Sequence, residues 1–209
     1  QVYSLHTGLL PIYLVHFLME EFLTVYEQLS TGNVPGILEE DRYEDYIRYI
    51  ARQDKEAGES YWRNYMGEVN SGSLLPFIES PAERNKGIGT YAEEILLLDP
   101  AQTEAVHAYA ARHRLTVNTV IQGVWSYLLY RYTGNATVVY GVTVSGRPDD
   151  LPGVEQRVGL YINTLPLRTT IQEEQEITAW LQQLQQEQLA GREFQYTPLQ
   201  EIRSWTDLQ

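Results

Sequence analysis

No cysteine occurs among the 209 residues. That removes disulfides, thiolate catalysis and cysteine-ligated zinc in one step, and it fits a reducing compartment. Basic charge is scarce. Fifteen Lys and Arg stand against 28 Asp and Glu, giving a net charge of −13 and a pI near 4.7. Phosphate backbones select basic surfaces, so nucleic acid is excluded as a partner. Residues 1–30 hold no Lys or Arg, so they lack the basic start of a secretory signal. No apolar run approaches the ~20 residues of a membrane span, and the expected compartment is the cytoplasm. The chain has no initiator Met, and Gln1 reads as a boundary within a longer polypeptide.

What is present is a globular composition, with 43% apolar residues. The length suits one good core or two small ones. Tyrosine is abundant at 16 residues. Either the tyrosines offer aromatic surface to a partner, or they are buried with satisfied hydroxyls.

Val2 to His6 alternates as a short strand, and Pro11 suits a first helical position. Leu14, Phe17, Leu18, Phe22, Val25, Tyr26 and Leu29 then share one helical stripe that Gly32 ends. Residues 41–66 read as helix, a break near Gly58, then helix, with Tyr43, Tyr46, Ile47 and Ile50 on the first apolar face and Tyr61, Trp62 and Tyr65 on the second. Ile88 to Leu98 reads as a strand.

Asp99-Pro100 starts a helix, as N-cap and first-turn proline. Thr116 caps the next one, whose apolar face of Val120, Val124, Trp125, Leu128, Leu129 and Tyr132 predicts deep burial up to Gly134. Two strands follow, over 136–146 and 158–170. A helix over 173–191 presents Ile177, Trp180, Leu181, Leu184 and Leu189, and the tail from Thr197 is mostly irregular. Interleaved strands and helices give an α/β class, helices packed on one mixed sheet.

The histidine spacings, His6 with His16 and His107 with His113, put no imidazole pair on one helical face beside a carboxylate, so no metal site is expected. No G-x-S-x-G elbow is present, and GIG at 87–89 precedes a strand rather than a helix. In SGRPDDLPG (145–153), Arg147 is a lone cation on a fixed loop. It either pairs with Asp149 or Asp150 on the surface, or turns inward to hold something at the sheet edge. Asn163, inside an apolar strand, needs hydrogen-bond partners: backbone of a neighbouring strand, or a cleft.

The run from TVNTVIQG through SGRPDDLPG to VGLYINTLPLR resembles the signature region of condensation domains from non-ribosomal peptide synthetases. YEDYIRYIARQD and AGESYWRNYM are similar to that family's tyrosine-rich helix (Tyr43) and its YWR segment, here Tyr61, Trp62 and Arg63. YTPLQEIRSW is similar to its closing motif. The resemblance implies a single lobe of the chloramphenicol-acetyltransferase-like fold. Residues 1–209 would be the C-terminal lobe, with the N-terminal lobe absent.

The family's catalytic motif is HHxxxDG. Counting back without a gap from Glu21 and Tyr26 sets His6 on its first histidine and Thr7 on the second, which carries the chemistry. Pro11 then falls on the aspartate and Ile12 on the glycine. An imidazole can position an amine or take its proton near neutral pH; a threonine hydroxyl cannot. The resemblance pairs the aspartate with an arginine that Arg147 matches, so Arg147 would lose its partner and turn to Asp149, Asp150 or solvent. Arg147, Asn163, Tyr43, Tyr61, Trp62 and Arg63 are carried over as structural motif residues, and no residue as catalytic.

These features imply a catalytically inactive, truncated condensation-like domain. It would act as a platform or docking surface for adenylation and carrier-protein domains of the same synthetase, or for an accessory enzyme. It would bind no cofactor itself, the phosphopantetheine being carried by the partner carrier protein. Two further readings stand beside it: half of an active amide-forming domain whose first lobe is supplied by another chain, and a pantetheine- or acyl-binding module. The face toward the first lobe would be more polar than in the family, or covered in a homodimer.

Overall fold

The structure, a computed structural model, describes residues 9–36, 43–76 and 93–208, without the side chains of 9–17 and 156. The expected strand at Val2 to His6 therefore lies outside the described residues, as do His6 and Thr7.

Helix α1 spans Leu9–Ser30. It begins two residues before Pro11, which sits in the first turn, where the missing N–H would have had no intrahelical acceptor anyway. Its stripe of Leu18, Phe22, Tyr26 and Leu29 is exposed, with the rings of Phe22 and Tyr26 stacked 6.3 Å apart.

Helices α2 (Tyr43–Ala51) and α3 (Lys55–Met66) are separated at Arg52 to Asp54, not at Gly58. The reason is the Asp54 carboxylate, which accepts from the amides of Glu56 and Ala57 at 3.0 and 3.1 Å and starts α3 there. Gly58 lies buried within α3, facing Tyr196, Thr197 and Phe194.

The described part of the expected strand at 88–98 is not a strand. Residues 93–99 carry no regular structure, and Leu96 is 86% exposed. An apolar, β-prone segment becomes a strand only where another strand supplies its hydrogen bonds. Helix α4 (Pro100–Arg112) follows, its capping box formed by Asp99 and Gln102 as the sequence indicates.

Helix α5 (Val117–Thr133) has its predicted caps: the Thr116 hydroxyl accepts from the Thr119 amide at 3.0 Å, and Gly134 closes it. Its orientation is only partly the predicted one: Leu129 is buried and Val120 packs against the core, as expected. The buried residues are Thr119, Gly123, Ser126 and Leu129, while Val124, Trp125, Leu128 and Tyr132 face outward. Close approach decides this. A Cβ at Gly123 would collide with Leu181, so only a helix turned with its smallest residue inward can sit this near its neighbour. Ser126 and Tyr140 place their hydroxyls 3.1 Å apart, and both reach the Gln122 carbonyl.

Strands β1 (Thr137–Val144) and β2 (Asn163–Thr170) pair antiparallel, with Val139 opposite Arg168 and Gly141 opposite Pro166. They are the sheet among the described residues. β2 starts at Asn163, later than the predicted 158. Pro166 does no harm to the ladder. Two positions away, Val139 and Arg168 point their polar groups outward, and the alternation puts the missing Pro166 N–H on that outer side as well.

Both outer sides are occupied at that register. Ser73 donates its amide to the Val139 carbonyl at 2.7 Å and accepts from the Val139 amide at 2.9 Å. The Tyr65 hydroxyl accepts from the Arg168 amide at 2.9 Å and donates to its carbonyl at 3.1 Å.

Helix α6 (Ile177–Gly191) buries Trp180, Leu181 and Leu184 against Leu129, Val138, Tyr140 and Leu167, and leaves Ile177 and Leu189 exposed. Trp180 donates its indole N–H to Thr169 at 2.9 Å. The tail is not irregular: α7 spans Leu199–Trp205 and drives Ile202, fully buried, against Trp62 and Leu165. Such a short element offers too few residues to show a helical period, and it is held by that one anchor.

Candidate functional site

The loop after β1 begins at Gly146, where φ is +62° and a Cβ would strike the Tyr161 carbonyl oxygen. Only glycine meets both conditions without moving the backbone. That close passage brings the 145–161 loop back on itself. Arg147 then turns inward. Its guanidinium donates to the carbonyls of Val154 and of Arg157 (3.0 Å for the latter) and lies over the Tyr161 ring, 4.1 Å from its centroid.

Arg147 therefore pairs with neither Asp149 nor Asp150, contrary to the expectation drawn from the resemblance. Asp149 instead meets Arg192 at 3.5 Å. The physical reason is that two carbonyl acceptors and an aromatic face, partly shielded from water, replace a carboxylate as partners for a planar cation.

Tyr161 belongs to a trio of rings. Tyr46 and Tyr161 lie 4.6 Å apart, Tyr43 meets Tyr161 edge-on at 5.4 Å, and Tyr43 donates its hydroxyl to the Leu160 carbonyl at 2.8 Å. Tyr46 and Tyr161 are 4% and 2% exposed. Burial pushes the Tyr46 phenol up to about 12, with Tyr43 and Tyr161 adding and Arg147 pulling back. A phenol held there stays protonated at neutral pH and moves no proton. Arg157 ties the same loop to α2 through Asp45 at 3.3 Å.

Asn163 connects this loop to the next segment. Its side-chain amide donates to the carbonyls of Gln195 and Thr197 at 2.8 and 2.7 Å, and its oxygen accepts from the Thr164 amide. Gln195 in turn donates to the Arg147 carbonyl at 3.3 Å. Asn163 thus holds a loop rather than a neighbouring strand, and Tyr43, Arg147 and Asn163 fall in one network.

The YWR segment lies in a second cluster. Tyr61 stacks on Phe194 at 4.5 Å and on Tyr65 at 5.8 Å. Trp62 is 2% exposed, against Leu165 and Ile202. Arg63 points away to solvent and pairs with Glu59 at 2.8 Å, one helical turn back. Burial pushes Tyr61 up to about 12 and raises Tyr65 further.

Pro11 and Ile12 fall in the first turn of α1, and the register of the motif from His6 to Ile12 rests on residues outside the description. Tyr161, Gln195 and Asp45 join the Arg147 network without having been singled out in the sequence. Tyr161 stood in a run read as strand interior, and the other two act through single polar contacts that leave no local pattern. Among the described residues, no group of three or more His, Asp or Glu is arranged to hold a metal ion, and no helix is long and apolar enough to cross a membrane. The arrangement clamps a loop.

The fold is α/β, helices packed on a small sheet, and falls in the chloramphenicol-acetyltransferase-like class. The chain overlays the X-domain from teicoplanin biosynthesis with a TM-score of 0.74 at 20% identity, over 94% of this chain and 45% of that one. It overlays the first condensation domain of the CDA synthetase with a TM-score of 0.66 at 20% identity, over 92% and 43%. The family model for the condensation domain matches residues 15–209. This chain belongs to the condensation domain family.

The match begins beyond His6 to Ile12 and includes Arg147, Asn163 and the YWR segment. Among relatives, a linear gramicidin synthase of Brevibacillus parabrevis is 39% identical over 207 residues, or 99% of this chain and 4% of that protein. Surfactin synthase subunit 3 of Bacillus subtilis is 32% identical over 206 residues, or 99% and 16%. The chain thus spans a small part of the relatives it matches.

Proposed function

We propose that this chain is a catalytically inactive condensation-type unit of a non-ribosomal peptide synthetase, serving as a platform or docking surface for adenylation, carrier or accessory proteins. The observation that carries the reading is Arg147. Its guanidinium is held by the carbonyls of Val154 and Arg157 and by the Tyr161 ring. The loop that the family's arginine would join to a catalytic-motif carboxylate closes on itself, as it must if Pro11 stands in place of that carboxylate. Thr7 supplies no imidazole for the amine, and Pro11 and Ile12 complete the changed motif. In this reading the phosphopantetheine belongs to the carrier protein and the unit works in the cytoplasm. The outward apolar face of α5, with Trp125 42% exposed, suits protein contact.

The test is a condensation assay of the whole synthetase module, native and with Thr7→His and Pro11→Asp together. The native module makes no peptide bond that depends on this unit; native product that disappears when the unit is deleted overturns the reading. A second reading, half of an active condensation domain, is favoured by one observation: the chain spans 43–45% of the solved chains it overlays. It predicts that adding the complementary lobe restores peptide-bond formation without any substitution.

A further inference from the structure

Residues 93–98 run without turn or bend into the Asp99 cap of α4. Within them, Ile95, Leu96 and Leu97 are 71%, 86% and 84% exposed. Successive side chains of an extended segment point to opposite sides, so both sides of this one are bare. The backbone amides and carbonyls from Ile95 to Leu98 make no hydrogen bond to a described residue. An apolar run open on both sides and along both backbone edges has the form of a strand without its sheet.

The chain's own ribbon does not take it up. At the registers of Val139 and Arg168, the outer edges of β1 and β2 are held by Ser73 and by the Tyr65 hydroxyl. A second copy is disfavoured by the charges at the two ends of the run. Antiparallel pairing centred on Leu96 sets Glu93 of each copy opposite Asp99 of the other, and in-register parallel pairing sets each carboxylate opposite itself. Like charges directly opposite one another destabilise a ladder. The complement of this pattern, Glu93-Glu94, four apolar residues, then Asp99, is an apolar strand flanked by Lys or Arg. Exposed sheet edges often carry lysine, so such a pattern belongs where a strand can be added.

We propose that residues 94–98 are a donor strand, which adds to the exposed edge of a β-sheet on a partner protein beside an apolar edge strand flanked by Lys or Arg. Glu93 and Glu94 at one end, and Asp99 at the other, meet those cations. The site is separate from the Arg147 loop, and it stands whether or not the unit is catalytically silent.

The test is titration of the isotopically labelled 209-residue chain, followed by amide NMR. The probes are three acetylated, amidated peptides: Lys-Lys-Val-Ile-Val-Ile-Lys-Lys, its counterpart Glu-Glu-Val-Ile-Val-Ile-Glu-Glu, and the basic peptide N-methylated at its four apolar residues. The basic peptide shifts the amides of residues 95–98 and slows hydrogen exchange at alternate ones, those facing the added strand. The acidic peptide binds about tenfold more weakly or worse, through charge, and so does the N-methylated one, which has no apolar amide left to donate. Leu96→Pro together with Leu97→Pro removes one amide from each backbone edge and weakens the basic peptide by a similar factor. Both side chains are exposed, so this variant keeps the melting temperature of the native chain.

No binding of the basic peptide at millimolar concentration, equal binding of the N-methylated one, or binding undiminished by the double proline variant overturns the strand. Equal binding of the acidic peptide overturns the basic partner. Concentration-dependent association of the chain alone, seen by sedimentation and abolished by the double proline variant, makes a second copy the occupant and overturns the partner as well.

Discussion

The two aromatic clusters are built from the same residue type and do opposite work. Around Trp62, rings stack on rings and on Leu165 and Ile202, and the yield is buried apolar area. Around Tyr161, three tyrosines enclose a guanidinium and a backbone turn, and the yield is position: one loop, fixed at Arg147. The first cluster tolerates changes that conserve volume, as apolar cores do. The second depends on Gly146 and on the planar fork of an arginine, which nothing of similar volume replaces.

The largest effect belongs to the Trp62 cluster. Trp62→Ala costs about 3–5 kcal/mol, and urea unfolding shows it as a lower midpoint with an unchanged slope. A loss below about 1 kcal/mol would mean the cluster is not the stabilising one. Gly146→Ala comes next, at about 3 kcal/mol, because it adds both a forbidden backbone region and a collision with the Tyr161 carbonyl. Hydrogen exchange then speeds at residues 145–161 more than at Trp62; equal speeding at both would erase the distinction between the clusters.

Alkaline pH follows. Tyr46 in the folded chain is pushed up to about 12, above its ordinary value near 10, so the unfolded chain loses the proton first. Its contribution, at most about 3 kcal/mol for a rise from near 10 to about 12, is fully present below pH ~10 and disappears as the pH rises toward 12. Tyr46→Phe flattens the fall in melting temperature over that window, and a curve parallel to the native one would rule out this titration as its cause. Smallest is Arg63→Ala, beside Trp62 in sequence. An exposed pair one helical turn apart is worth about 0.3–0.5 kcal/mol, so its midpoint stays within error of the native protein.

Features written in neighbouring residues were legible in the sequence: the Asp99 and Thr116 caps, the Gly134 stop and strand β1 are each set by a few adjacent side chains. The outward turn of α5 was not, because it is decided by Leu181 pressing on Gly123 from far along the chain. Gly58 read as a helix break for the same reason: a buried helical glycine and a helix-ending one look alike until the partner, here Thr197, is known. The site divided similarly. Arg147 and Asn163 stood out as polar residues in unusual company, yet their actual partners are carbonyl groups, which every residue carries and no pattern marks.

The occupied edges of the β1–β2 ribbon have a consequence for the chain in crowded solution. A two-stranded ribbon is a template on which like copies can polymerise. Here a recruit on either flank would have to evict Ser73 from Val139, or Tyr65 from both polar groups of Arg168, before zipping past that register. Ser73 and the Tyr65 hydroxyl thus act as stoppers against strand addition at that register.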